Sequence, residues 1–555
     1  MNRNLNLKKI VSVTILIFST YFSFVLSNLF YLSSKGPDIN FYKPYFEYFF
    51  GTLDNTGIEQ GLLYYFLNAF FLSINSKILN LTNEPEILSL GIQYTNFSIY
   101  IVGLIGLGLF LYQKKIKITN VMIILSLINF FPVMFGIRLL FKPEILIFTT
   151  LVWVLFFLEM YIKNNKSYLL IFTIPPLVII FTAKANSALM VALFLIFYFL
   201  NNIYKINKRI FFISLIIFFG LFILVSFENY EANNFLIFQH QSPEEFTGKA
   251  NLDYLYRIDI NSIMEEPFRQ SQRNSYVGAL LLDTFDDYFG NFWTDDSSLF
   301  YKDRINFLNI KLRPYLGLFY SFLFYFFVIR LIIKEKDKKY FILPFFGIIV
   351  QMGLSQFTQF NPENGDVAKA YYFSFFLVVT FALLFAKLFS KYQFRSYFLS
   401  FLFLFSIIFI LGFPKSQNNQ RIEYLEFNNE INIFCSLNNY FFNIDSDCLD
   451  AEEQFCFFNF QEIKKIEIKN SEYVYRNYFN QDSKNLFKNQ SSYEITNLNQ
   501  CLDFISDGYE PKQTLNIVRL PVVNLITLFS FLVSIVYSIF NIKKLNQIDF
   551  TNEID

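Results

Sequence analysis

Apolar runs long enough to cross a lipid bilayer recur along this chain and limit what it can fold into. A spanning helix needs roughly 17 to 25 mostly apolar residues, and such runs occur in both halves of the sequence. They raise the hydrophobic share of the 555 residues to 54% and leave only 16% charged. Soluble domains of this length do not have that balance. The sequence therefore predicts an all-α polytopic membrane protein.

We expect about twelve transmembrane helices of the required length. The first follows Arg3, Lys8 and Lys9 and has the length of an uncleaved signal anchor. The fifth and sixth are short and surround Lys184, so that broken helices are an alternative to full spans there. The predicted spans are 10–32, 92–112, 119–137, 145–161, 168–183, 187–201, 210–227, 315–333, 340–357, 369–388, 396–413 and 520–540.

The charges between the spans alternate and predict the orientation of the chain. Short connecting segments, including the N-terminus, are rich in Lys and Arg, which places them in the cytoplasm. The longer segments 33–91, 228–314 and 414–519 then lie outside a bacterial plasma membrane. We therefore divide the chain into a transmembrane domain, an extracytoplasmic domain, and a last helix with a cytoplasmic tail. These are residues 1–413, 414–519 and 520–555.

The outside segment 414–519 is long enough to form a small domain of its own. Short strand-like runs such as 463–468 alternate with Asn-rich turns and predict a mixed α/β fold. The segment also contains all four cysteines, and an oxidising compartment would permit two disulfides. Four cysteines allow three pairings. Local spacing favours Cys435–Cys448 with Cys456–Cys501, and unpaired thiols or a metal site remain alternatives.

Two acids in the first outside loop are candidate catalytic residues. Asp38 follows the first span closely, together with Tyr42. A carboxylate beside a low-dielectric wall can have a raised pKa and act as a general base. Glu59 precedes an apolar and aromatic run, 57–71, which suits a helix at the membrane interface with the acid at its N-terminus. The alternatives are a solvated loop acid and a helix cap.

The order of these features resembles the GT-C superfamily of membrane glycosyltransferases. Lipid A aminoarabinose transferases and protein O-mannosyltransferases belong to this superfamily. Its members have an early outside Asp, and many of them then have Glu-Lys-Pro-Pro-Leu-Tyr-Tyr. The second motif reads Glu59-Gln60-Gly61-Leu62-Leu63-Tyr64-Tyr65 in this chain, without the basic residue and the prolines. The resemblance implies Asp38 and Glu59 as catalytic residues, and Tyr42, Tyr64 and Tyr65 as substrate-binding residues.

Weaker motifs extend the resemblance over roughly residues 10–390. They are Phe131-Pro132 before Arg138, Lys142-Pro143-Glu144 at the start of a long helix, Thr182-Ala183-Lys184-Ala185-Asn186, and the loop 361–366 before Lys369 and Tyr371-Tyr372. The resemblance implies a polyprenyl-phosphate sugar donor. Arg138, Lys142, Lys184 and Lys369 are the candidates to hold its phosphate. An ionisable residue inside an apolar helix is a functional-site hypothesis by default, and the alternative is a snorkelling lysine at a helix end.

The second outside loop, 228–314, contains a run of acids and aromatic residues. Asp286 and Asp287 lie in it, between Phe285 and Tyr288. Aromatic rings stack on the apolar faces of sugars and carboxylates accept hydroxyl protons, so the pair is a candidate sugar-binding site. A divalent cation could also use two such acids. The alternative is an ordinary polar loop.

These features together predict an inverting glycosyltransferase that uses a lipid-linked donor. The acceptor would be a glycan, a lipid or a protein outside the membrane. The net charge of +1 argues against nucleic acid as a partner. No nucleotide-binding or zinc motif occurs, so the activated donor itself would supply the energy. The rival hypotheses are an O-antigen or capsule polymerase that depends on Arg269 and Arg273, and a non-enzymatic transporter or lipid flippase.

Overall fold

We describe the structure from a computed structural model of the chain. It describes residues 2–29, 38–51, 53–78, 87–139, 141–235, 255–256, 276–285, 313–335, 338–357, 370–391 and 517–541. The predictions for Asp286, Asp287, Lys369, residues 396–413, the four cysteines and the α/β domain therefore lie outside the described residues. The side chains of Asp38 and Tyr42 also lie outside them, although both residues are in a described helix.

Every regular element in these ranges is a helix, which confirms the helical fold class. The α-helices are α1 (Asn2–Leu29), α2 (Asp38–Phe49), α3 (Leu62–Ile78), α4 (Ile87–Gln113), α5 (Ile118–Ile128), α6 (Pro132–Leu139), α7 (Glu144–Asn164), α8 (Ser167–Ile171), α9 (Ile174–Ala183), α10 (Ala185–Asn201), α11 (Lys208–Asn233), α12 (Tyr276–Phe285), α13 (Arg313–Lys334), α14 (Leu343–Phe357), α15 (Ser374–Lys391) and α16 (Val522–Phe540). Short 3-10 helices cover Ile203–Lys205 and Ala370–Phe373.

Five of the described helices are long and apolar enough to span a membrane. They lie in α4, α7, α11, α13 and α16, and α5 with α6 forms a sixth candidate that is bent by 64°. Shorter apolar helices coincide with several other predicted spans, among them 167–183 and 185–201. The architecture is consistent with a helical membrane protein.

Helix α7 forms the centre of the bundle and is almost wholly buried. Its closest neighbour is α4, where Gly103 and Gly106 face Phe148 and Trp153. A Cβ atom on Gly103 would lie 2.6 Å from the Phe148 ring, so only glycine permits this approach. Small residues let helix backbones come together in the same way in many membrane proteins. The Trp153 indole N–H donates to the Val102 carbonyl at 3.1 Å and fixes the register of the two helices.

The bend between α5 and α6 is held by the buried side chain of Arg138. Its guanidinium donates to the Asn129 carbonyl at 3.1 Å, where α5 has ended, and to Ser23 of α1 at 3.0 Å. It also lies 4.6 Å over the ring of Tyr100. A broken helix in an apolar bundle needs such a donor, because its last carbonyls have lost their helical partners. Arg138 therefore joins α1 to the break.

A partly buried charge cluster lies at the other end of α7, and we call it the Glu159 cluster. The Glu159 carboxylate accepts from Lys114 at 2.9 Å and from Lys339 at 2.7 Å. Tyr340 and Tyr198 donate to the same carboxylate. One acid thus joins the end of α4, α7, α10 and the start of α14. A buried ion network of this kind is costly to break, because the remaining charges lose their partner.

We expect Glu159→Gln to destabilise the bundle, because it leaves Lys114 and Lys339 without their shared carboxylate. The expected loss is about 3 kcal/mol or more. Thermal unfolding of the purified protein in detergent measures it. The matched control is Glu335→Gln, which breaks the largely exposed pair that Glu335 forms with Lys387 and should cost about 1 kcal/mol or less. Equal unfolding temperatures for the two variants would contradict the prediction.

Candidate functional site

The candidate site lies at the opposite end of α7 from the Glu159 cluster. Its centre is Glu144, the first residue of α7, about 22 Å from Glu159 at the helical rise of about 1.5 Å per residue. Glu144 is only 1% exposed, and its Oε1 accepts from the Lys184 ammonium at 2.5 Å. An unpaired charge at this depth would be very costly, so each residue depends on the other.

Lys184 lies at a break between two helices and not inside one. Helix α9 ends at Ala183 and α10 begins at Ala185, while Lys184 has extended backbone angles of φ −158° and ψ 130°. Its ammonium also lies 4.4 Å over the ring of Tyr372. The break was one of the two alternatives that the sequence left open. It directs the lysine inward, against the start of α7.

The turn that precedes α3 packs directly on this break. We call residues 53–61 the acidic turn, because Asp54 and Glu59 lie in it. The Gly61 N–H donates to the Ala183 carbonyl at 3.1 Å. A Cβ atom on Gly61 would lie 2.3 Å from the Thr182 carbonyl oxygen, so a side chain at this position would collide with the backbone. The glycine therefore brings the acidic turn into contact with the Lys184 break.

Gln60 is fixed from two sides by tyrosines. Its main-chain carbonyl accepts from Tyr45 at 2.6 Å, and its side-chain oxygen accepts from Tyr65 at 2.7 Å. The two tyrosine rings stack with their centroids 3.9 Å apart. Stacked rings with hydrogen-bonded hydroxyls have little freedom, which makes this side of the acidic turn rigid.

Tyr64 connects the acidic turn to the region around Lys142. Its hydroxyl donates to Asn96 at 2.8 Å, and the Asn96 amide donates to the Arg138 carbonyl at 2.9 Å. The same hydroxyl lies close to the backbone of Lys142 and within electrostatic range of Glu144. Lys142 itself is 8% exposed. Tyr64 and Tyr65 are both fully buried, so in this structure they contact the site from the core of the bundle.

Two carboxylates at the site retain an oxygen that no described residue contacts by a hydrogen bond. They are Glu59, through its buried Oε2, and Glu144, through its Oε2. Glu59 is half-buried and precedes α3 by three residues, which agrees with its predicted position at a helix start. Buried acceptors without donors are costly, and in native proteins they frequently belong to functional sites.

Several helices begin at this end of the bundle. The starts of α3, α7, α10 and α15 all lie near the acidic turn or the Glu144–Lys184 pair. A helix N-terminus carries a partial positive charge and free N–H groups, and both favour anions. Lys142 and Lys184 lie at this end together with the acids Glu144 and Glu59, so that charges of both signs meet here.

The structure thus brings together Glu59, Tyr64, Tyr65, Lys142 and Lys184 from the predicted set. The Arg138 guanidinium points away from this group, toward α1. Asp38 and Tyr42 lie in the first turns of α2, and Asp286, Asp287 and Lys369 lie just beyond described helices. The assigned roles of all these residues in catalysis or binding stay predictions.

Three contributors were not predicted as site residues: Glu144, Gln60 and Asp283. Asp283, three residues before Asp286, is 5% exposed and accepts from the backbone N–H of Ala370, next to Tyr372. An acid at the start of a helix is a detectable signal, because it favours the positive helix end. The Pro143-Glu144 dipeptide carries that signal, whereas Gln60 and Asp283 carry none.

Comparison of the chain with protein-family models, with curated proteins and with solved structures gives no match. The function of the chain therefore has to be inferred from the geometry of this site.

We expect Gly61→Ala to destabilise the protein by about 1–3 kcal/mol, because the new methyl group forces the acidic turn away from the Thr182 carbonyl. The control is Gly220→Ala, where nothing lies within 4 Å of the added Cβ atom. That substitution should stabilise α11 slightly, by about 0.5–1 kcal/mol. Thermal unfolding compares the two. An unfolding temperature of Gly61→Ala at or above that of the wild type would contradict the close approach.

We expect the Glu144–Lys184 pair to be strongly coupled. Glu144→Gln and Lys184→Met should each cost about 3–5 kcal/mol, because each leaves a buried charge unpaired. The double variant should be more stable than the sum of the single effects predicts, since it removes both charges. A double-mutant cycle on unfolding free energies measures the coupling. Additive effects would show that the pair is not formed.

Proposed function

We propose that this protein is an inverting glycosyltransferase of GT-C type that moves a sugar from a polyprenyl-phosphate donor to an acceptor. One observation carries the proposal: a buried lysine at a helix break lies directly against a turn that carries a carboxylate. The lysine supplies a site for a phosphate, and the carboxylate supplies a group that can bind hydroxyls. Sugar transfer from a lipid-linked phosphate to a hydroxyl acceptor would need both the lysine and the carboxylate.

The donor phosphate would bind between Lys142, Lys184 and the helix N-termini. Lys184 is held in place by Glu144 and Tyr372, so its ammonium would be shared between Glu144 and the arriving phosphate. As the bond from the sugar to the phosphate breaks, its electron pair goes to a phosphate oxygen. Fixed positive groups stabilise that developing charge. Arg138 and Lys369 remain further candidates for this role.

Asp38 would act as the general base for the acceptor. The acceptor oxygen attacks the anomeric carbon on the face opposite the phosphate, a new carbon–oxygen bond forms, and the hydroxyl proton passes to Asp38. Glu59 would orient the acceptor with its free oxygen. Tyr42, Tyr64, Tyr65, Asp286 and Asp287 are the candidates to shape the sugar site. The transfer inverts the configuration at the anomeric carbon.

The same proposal includes the finer architecture that the sequence predicts. We propose about twelve spans, with the site on the extracytoplasmic side of a bacterial plasma membrane. Segment 414–519 would form a small α/β domain near the acceptor. The acceptor would be a glycan, a lipid or a protein. The positions of the Lys-rich loops support this orientation, because Lys114 and Lys339 lie at the opposite end of α7 from the site.

We expect Asp38→Asn to insert and fold normally but to lose at least about 100-fold in transfer rate, as removal of a general base does. Proteoliposomes supplied with radiolabelled polyprenyl-phosphate sugars and membrane glycan or lipid acceptors provide the assay. Arg269→Ala and Arg273→Ala serve as matched variants, because a polymerase of the rival kind depends on such arginines.

Full transfer by Asp38→Asn would reject the assignment of the base. A loss confined to Arg269→Ala and Arg273→Ala would favour the polymerase. Uptake or lipid flipping by the wild-type proteoliposomes, without sugar transfer, would favour a transporter.

A further inference from the structure

A group of polar side chains on α11 connects α16 to the acidic turn. Asn229 lies one helical turn before Asn233, so these two residues share a face of α11, and Glu228 directly precedes Asn229. Asn229 is 7% exposed and Asn233 is 1% exposed. We call these three residues the polar ladder. Most of α11 is otherwise apolar and exposed, as expected for a lipid-facing helix.

Glu228 and Asn229 of the polar ladder bind the N-terminus of α16. The Glu228 carboxylate accepts from the backbone N–H groups of Val523 and Asn524, each at 2.8 Å, and from the Asn524 side chain at 2.8 Å. These backbone groups have no helical partner, and a carboxylate is the most favourable acceptor for them. The Asn524 side chain also donates to Asn229 at 3.0 Å.

Asn233, the third residue of the polar ladder, binds the acidic turn. The Asn233 side-chain amide donates to the Gln60 carbonyl at 2.7 Å, and its oxygen accepts from the Thr56 hydroxyl at 2.7 Å. The Thr56 N–H donates to the Ala232 carbonyl at 2.9 Å. The Thr56 hydroxyl in turn accepts from Ile58 at 3.2 Å. Both neighbours of Glu59 in sequence are therefore fixed by these bonds.

Val518 and Arg519, just before α16, bind the end of α2 and the start of the acidic turn. The Val518 N–H donates to the Phe49 carbonyl at 2.9 Å. The Arg519 guanidinium pairs with Asp54 at 2.9 Å and lies 4.8 Å over the ring of Tyr48. The acidic turn is thus held by Asn233 of α11 on one side and by Arg519, just before α16, on the other.

We propose that Glu228, Asn233 and Thr56 are positioning residues that hold Glu59 against the Lys184 break, with α16 as their anchor. The last helix is then part of the site and more than a membrane anchor. The catalytic consequence rests on the proposed function, whereas the positioning itself stands on the polar ladder alone. Buried hydrogen-bond networks of this kind fix one geometry only when every member is satisfied.

Hydrogen exchange of the full-length protein in detergent tests the positioning. Glu228→Gln replaces a carboxylate oxygen with an N–H₂ group that faces other donors. Thr56→Val removes one hydroxyl at almost constant volume, and Thr56→Ser restores it. We expect the amides of Thr56 and Gly61 to exchange at least tenfold faster in Glu228→Gln and Thr56→Val. Thr56→Ser and the distant control Glu335→Gln should exchange as the wild type does.

Transfer assays on the same proteins test the catalytic consequence. We expect kcat to fall at least tenfold in Glu228→Gln and Thr56→Val and to return in Thr56→Ser. Unchanged amide exchange in both variants would overturn the inference, and so would faster exchange with unchanged kcat. If Glu228→Gln does not fold, the comparison of Thr56→Val with Thr56→Ser tests the inference on its own. Faster exchange in a protein whose wild type transfers no sugar would reject the proposed function and leave the positioning intact.

Discussion

The buried ion pair between Glu144 and Lys184 is the interaction on which the arrangement of the site depends. In an apolar bundle either charge alone would carry a large desolvation cost, so the two residues form an ion pair. The lysine reaches the glutamate because the chain leaves the helix at Lys184 and resumes it at Ala185. This break also exposes the carbonyl of Ala183, to which Gly61 binds. One electrostatic requirement therefore explains the broken helix, the glycine beside it and the place of the acidic turn.

The acids at this end of the bundle follow a common rule. Glu144 begins α7, Asp283 accepts from the start of the 3-10 helix Ala370–Phe373, and Glu228 caps α16. In each case negative charge lies at the N-terminal end of a helix, where the partial positive charge of the helix makes it favourable. Glu144 and Glu59 each also keep one buried oxygen without a donor in the described structure, a feature that is frequent at functional sites.

The sequence predicted what depends on local pattern. Apolar runs predicted the helical class. Lys184 was identifiable as a candidate because a charged residue inside an apolar run is energetically costly and is a functional-site hypothesis by default. The contacts that build the site are not local. Lys184 meets a glutamate forty residues earlier, and Asn233 meets Gln60 across more than 170 residues. No periodicity encodes such pairings, because each residue looks like an ordinary polar position within its own helix. The role of α16 was missed for the same reason.

The bend at Arg138 has a consequence for how the bundle holds a buried charge. Among the described residues no carboxylate pairs with this guanidinium, whose neighbours are a carbonyl, a hydroxyl and aromatic rings. Within the described part of the chain, its positive charge is therefore stabilised by dipoles and ring faces and not by an opposite charge. The break between α5 and α6 supplies the free carbonyl of Asn129, and the arginine in turn satisfies it. Removing either one would leave the other without its partner.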